Sequence, residues 1–136
     1  MKRLFACLAG LLVTSAAFAE DITDVDRILC AAGQAQICLE TGDCYAATPY
    51  ELSIPDFIII DTKKKTVSTT EASGASRSSP FSAVTRKEGL LHLQGIEDER
   101  AFSFVIDELT GRLTAAIARD GLSVTVFGAC TDADVK

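Results

Sequence analysis

The sequence predicts an all-β domain: an antiparallel meander of about eight strands, rolled into a small barrel or stacked as a sandwich, and stapled by disulfides. Three observations carry this reading. Apolar and polar residues alternate with period two through most of the chain from Pro55 onward. Turn signals recur about every ten residues, the spacing of short strands joined by tight connections rather than of strand-helix units. The cysteines beyond the first segment, Cys30, Cys38, Cys44 and Cys130, form an even set.

A chain of 136 residues, 48% hydrophobic and 24% charged, is long enough for one domain with its own core. Its formal net charge of −6 argues against a general nucleic-acid or anionic-membrane binder, which needs a basic face. His92 is the single histidine, so a metal site that needs two or more histidines cannot form within one chain. No cofactor is expected.

Residues 1–19 read as a signal peptide. Lys2 and Arg3 supply the positive start, residues 4–13 the short apolar run, and Ala17-Phe18-Ala19 the small-x-small cleavage site. The run is shorter than the roughly twenty residues that a spanning helix needs. Cys7 precedes most of it, which argues against a lipid anchor there. Cleavage would remove two cations and no acid, leaving residues 20–136 as a single, more acidic β domain. The expected location is the periplasm or the cell exterior, with no membrane span.

Cys7 leaves with the signal, and the other four cysteines meet an oxidising compartment. Disulfides are expected over a four-thiolate zinc site because the sequence holds no C-x-x-C pair. Of the three pairings, Cys38 with Cys44 and Cys30 with Cys130 is preferred. The first closes a tight segment whose Thr41-Gly42-Asp43 suits a turn. The second ties the start of the domain to its last strand, and in the chain-entropy model a loop of about 100 residues contributes roughly 4.7 kcal/mol.

Each element follows in order. Residues 24–39 read as strands rather than helix, because Gly33 interrupts the apolar set Val25, Ile28 and Leu29 and an extended pattern resumes after it. Residues 56–61 form a strand, 62–65 a polar turn with Lys63-Lys64-Lys65, and 66–70 a β-branched return strand. A loop of small polar residues, 71–79, leads to a strand over 80–86 with Phe81 and Ala83 on one face. After a turn at 87–89, residues 90–95 put Leu91 and Leu93 on one face and His92 and Gln94 on the other. Glu97-Asp98-Glu99 turns the chain as a solvated tip. Phe102, Phe104 and Ile106 share a face over 101–106, and 107–111 form a hairpin loop with Gly111 at the left-handed position. Leu113, Ala115 and Ile117 line the next strand, and residues 122–130 close the series with Val124 and Val126 on one face. The inner faces mix large residues with alanine and glycine, which leaves open a tight core or a modest apolar cavity.

Candidates for chemistry are few. His92 would need a nucleophile and an orienting acid, and no motif places either. The sequence has no G-x-S-x-G elbow and no glycine-rich phosphate loop. No catalytic residue is therefore assigned. The binding candidate is the segment 73–79, in which the hydroxyls of Ser73 and Ser76 accompany Arg77 on a flexible connection. A guanidinium forks onto two carboxylate oxygens, and long loops on rigid β scaffolds are common binding elements.

The set Ile54-Pro55-Asp56-Phe57, Thr66-Val67-Ser68-Thr69-Thr70, Leu93-Gln94-Gly95, Arg100-Ala101-Phe102-Ser103-Phe104, Thr110-Gly111 and Val126-Phe127-Gly128-Ala129-Cys130 resembles a family of small exported bacterial β-proteins with no assigned activity. That resemblance implies no catalytic residue. Ala72-Ser73-Gly74-Ala75-Ser76-Arg77 is loosely similar to the cleft-plugging loop of the periplasmic C-type lysozyme inhibitors, small β-barrels with a terminal disulfide that Cys30 and Cys130 would match. This second similarity implies inhibition of a muramidase. The tyrosine that follows the basic residue in that family is absent here, and more strands follow the loop. The expected function is a non-enzymatic binding or envelope-accessory protein whose partner is another envelope or secreted protein. The alternatives are a muramidase inhibitor acting through residues 73–79 and a carrier of a small apolar ligand.

Overall fold

The computed structural model describes residues 20–134. The signal-peptide reading of residues 1–19 lies outside the described residues. Ten strands form one antiparallel sheet: β1 (Arg27–Leu39), β2 (Cys44–Ala47), β3 (Phe57–Asp61), β4 (Thr66–Thr69), β5 (Ser78–Pro80), β6 (Ala83–Lys87), β7 (Leu90–Glu97), β8 (Arg100–Asp107), β9 (Arg112–Arg119) and β10 (Leu122–Asp132). Two short 3-10 turns, Tyr50–Leu52 and Glu71–Ser73, interrupt the connections. Among the described residues no helix is long and apolar enough to cross a membrane.

The first strand organises the rest. β1 pairs along its length with β10, while its other edge is shared by β3 near its start and β2 near its end. From there the order runs β3-β4-β5 on one side and β10-β9-β8-β7-β6 on the other. The two ends of this path, β5 and β6, are neighbours in the chain, separated only by Phe81 and Ser82. The Phe81 N–H donates to the Lys65 carbonyl at 2.8 Å, and the Ser82 N–H to the Gln94 carbonyl at 2.8 Å. One bent run thus serves both ends, and the sheet curls back on itself as a barrel-like layer rather than two stacked sheets. Counting β5 and β6 as that single run, and β2 as an extra ribbon on β1, reduces the ten strands to the eight of the expected meander.

Both expected disulfides form. Cys30 and Cys130 face each other across β1 and β10, with Cα atoms 4.0 Å apart. Cys38 and Cys44 do so across β1 and β2, at 4.2 Å. The first pair is buried, whereas Cys44 is exposed.

Three sequence expectations change. The strands expected over 24–39 are one continuous strand, Arg27–Leu39: the register slips between Ala32 and Gln34, so Gly33, expected only to interrupt a helix, is a bulge that bends it. The strand expected over 80–86 is two strands, because the corner at Phe81 and Ser82 resets the alternation; Phe81 is buried and Ala83 is exposed. The loop expected over 71–79 is shorter, since Ser78 and Ser79 already pair with β4. Gly111 does take the left-handed position, at φ 65°. Its carbonyl accepts the Cys130 N–H at 2.7 Å, and a Cβ there would collide with the Cys130 carbonyl.

Each strand turns alternate residues inward. Ile28, Ile60, Leu91, Leu93 and Ile106 are wholly buried toward one end of the curl. The segment before β1 caps this end: Ile22 is also wholly buried, and its N–H donates to the Glu108 carbonyl at 2.8 Å. Arg86 ties the cap to the sheet. Its guanidinium donates to the Val25 carbonyl, lies 3.4 Å from the buried Glu108 carboxylate and 3.5 Å from Asp24.

Candidate functional site

The opposite end of the curl is not filled. Its walls come from the inward positions of β3, β4, β8, β9 and β10, where Ile58, Val67, Phe102, Phe104, Leu113 and Val126 converge. Ala32 and Ala115 occupy inward positions among them, and such short side chains do not reach across the barrel. The result is an apolar cavity of about 120 Å³. Phe102 and Phe104 form one side of it, with ring centroids 5.5 Å apart, and the buried Phe81 packs edge-on against both from behind, at 5.7 and 5.9 Å.

Gly95 permits this arrangement. It sits directly opposite Phe102 in the β7–β8 register. A Cβ at Gly95 would collide with the Phe102 ring and lie 2.8 Å from the Pro80 carbonyl. The missing side chain is the space in which the ring lies, against the bent run that closes the sheet.

The mouth of the cavity is polar. Glu97 and Arg100 are paired across a two-residue turn whose Asp98 and Glu99 both adopt positive φ, 45° and 64°. Ser79, buried on β5, donates its hydroxyl to Glu97 Oε1. Glu97 Oε2 then lies 3.9 Å from Arg77 Nη2 and 3.9 Å from Arg100 Nη2. Arg100 also lies 3.9 Å from Asp98. These separations are ion contacts, too long for hydrogen bonds. Among the described residues neither guanidinium donates a hydrogen bond.

The sequence candidates separate in space. Arg77 reaches the mouth of the cavity. The Ser73 hydroxyl donates to the Thr70 carbonyl at 2.7 Å and accepts from the Ala75 N–H at 3.2 Å, which commits it to holding its own turn. Ser76 is exposed and does not line the cavity. Ser73 and Arg77 do share a separate, more polar groove with Tyr50 and Phe57. His92 stands on the other face of β7 from Leu91 and Leu93, between Thr85 and Val105. The reading of Glu97-Asp98-Glu99 as a solvated tip holds for Asp98, whose side chain is 82% exposed, but Glu97 is 29% exposed and turned toward Ser79 and the two arginines. Ser79 closes the candidate segment 73–79 without being singled out within it, and Glu97 and Arg100 were not among the sequence candidates. The one local signal for them is a charge of each sign flanking a two-residue turn, which does not reveal which way the pair faces. No protein-family model matches the chain, and no curated protein sequence is detectably similar to it.

Proposed function

We propose that this is an exported binding protein that holds a small apolar molecule, or the apolar part of a larger one, in the open end of its barrel. The observation that carries the reading is the cavity of about 120 Å³ among Ile58, Phe102, Phe104, Leu113 and Val126. An apolar cavity of about 150 Å³ is enough to take up benzene. Affinity would come from removing ligand surface from water, at about 25 cal/mol per Å² of apolar area. Ala115 supports a ligand space rather than a packing accident, because its neighbours two positions away on the same strand are the larger Leu113 and Ile117, which line the same cavity. Export is supported by the leader-like residues 1–19 and by the two disulfides, which persist in oxidising compartments. An envelope or secreted protein that delivers or receives the ligand belongs to the same reading.

Toluene is the simplest probe. Titrated into the disulfide-bonded protein, it is expected to shift the methyl resonances of Leu113 and Val126. Ala115→Leu fills the space and should abolish those shifts. Methyl spectra unmoved by saturating toluene, or shifts undiminished in Ala115→Leu, would refute the proposal.

A further inference from the structure

The mouth of the cavity carries chemistry that a purely apolar ligand would not use. Arg77 comes from the segment before β5, and Arg100 from the first position of β8. They arrive from different parts of the chain and flank the same oxygen, Glu97 Oε2, each at 3.9 Å. Two guanidinium groups present ten N–H donors in all by their covalent structure, five each. Here the Glu97 carboxylate, and for Arg100 also that of Asp98 at 3.9 Å, supplies charge but no hydrogen bond. Glu97 is itself held back by the Ser79 hydroxyl on its other oxygen. Directly behind this cluster stand the Phe102 and Phe104 rings.

We infer that the site selects a small anionic amphiphile: a carboxylic acid whose head group lies between Arg77 and Arg100 and whose hydrocarbon part, a ring or a chain of roughly six carbons, occupies the cavity. The inference rests on the cavity-binding reading above and adds the head group to it. Bidentate, charge-assisted hydrogen bonds replace the long ion contacts, because a guanidinium matches the geometry of a carboxylate. Glu97 is the resident counter-charge. It keeps two cations from facing each other across an empty mouth, and it competes with an entering acid.

Three ligands of one shape separate the possibilities: 3-phenylpropionate, 3-phenylpropanol and 3-phenylpropylamine, each titrated at neutral pH and low salt with the methyl resonances as readout. The acid is expected to bind about tenfold more tightly than the alcohol, the scale of a charge-assisted hydrogen bond at a partly exposed site, and the amine more weakly than the alcohol. The acid preference should fall with added salt. In Arg77→Gln/Arg100→Gln the ratio of acid to alcohol affinity is expected to approach one. Glu97→Gln keeps an acceptor for Ser79 while removing the competing charge, so it should increase the acid preference. Circular dichroism and thermal unfolding establish that each variant is folded, and the wild-type comparison needs no variant at all. Equal binding of acid and alcohol by the wild type, or an acid preference that survives in the double variant, overturns the head-group assignment while leaving the cavity reading intact. Failure of all three ligands and of toluene to bind overturns both.

Discussion

The two ends of the barrel share strands β1, β3 and β8 and differ in what those strands turn inward. At the capped end the inward positions are Ile28, Ile60, Leu91 and Ile106, all wholly buried, with Ile22 laid across them. At the open end β1, β3 and β8 turn in Ala32, Ile58 and Phe102, β9 adds Ala115, and among the described residues no side chain fills the gap. The polar groups differ in the same sense. Arg86 at the capped end donates to the Val25 carbonyl and sits against a buried carboxylate. Among the described residues the guanidinium groups of Arg77 and Arg100 at the open end donate no hydrogen bond. One end therefore stabilises the fold, and the other is a region where stability has been left out in favour of accessible space.

Four experiments would break or sharpen this contrast. The largest effect is expected at the staple of the first and last strands. Cys30→Ser/Cys130→Ser removes a link across a sequence separation of 100 residues and should lower the unfolding free energy by about 4 to 5 kcal/mol. Cys38→Ser/Cys44→Ser, across a separation of 6 residues, should cost about 2 kcal/mol. Equal losses in urea titrations would dissolve the distinction. The next effect compares the ends directly. Arg86→Ala leaves the Glu108 charge buried without its partner and should cost about 3 kcal/mol, and Ile106→Ala should cost a similar amount, about 3 kcal/mol, through the space it creates. Ala115→Leu at the open end should change stability by less than about 1 kcal/mol, because it enters existing space. A loss at Ala115→Leu as large as that at Ile106→Ala would show the open end to be tightly packed.

Gly95→Ala is expected to cost about 1 to 3 kcal/mol, the usual range for overpacking, and to weaken toluene binding by pushing the Phe102 ring into the cavity. The smallest effect is on the pH dependence. The Lys63 ammonium, 2.7 Å from Asp26, and the Thr62 hydroxyl hold the Asp26 carboxyl below the usual aspartate range, and Asp26 raises Lys63 in turn. A lowered carboxyl contributes stability at neutral pH that is lost as the pH falls through its folded value, below about pH 4. The raised Lys63 contributes below about pH 10 and loses its contribution as the pH climbs past its folded value. Both groups are exposed, so Asp26→Asn should flatten the acid limb of the stability profile only slightly. The two profiles should merge in acid; a difference that persists there would assign the effect to something other than this pair.

Much of the wall was legible from the residues alone. Phe102, Phe104 and Ile106, or Leu91 and Leu93, alternate because each strand has one dry face, and period two records that directly. The cysteine pairs were legible for a different reason: one closes a short turn, and the other joins the two termini of the domain. The mouth was not legible. Whether Glu97 faces solvent or Ser79 depends on where β5 lies relative to the end of β7, and that is set by the corner at Phe81 and Ser82. The same corner shifts the alternation phase, so Phe81 and Ala83 do not share a face although their spacing suggests it. Arg86 ends the strand expected over 80–86, and nothing in that reading singles it out. Its role emerges only when Glu108, seen as a loop residue, proves to be buried beside it.

The pairing of β1 with β10 sets an order of events. A chain that emerges from its N terminus, whether from a ribosome or a translocation channel, presents Cys30 long before Cys130. Until residues 122–132 arrive, β1 lacks its longest neighbour and the ring of strands stands open. Such distant contacts form slowly. The sheet therefore stays open along the chain's synthesis and locks only once its last strand has been delivered.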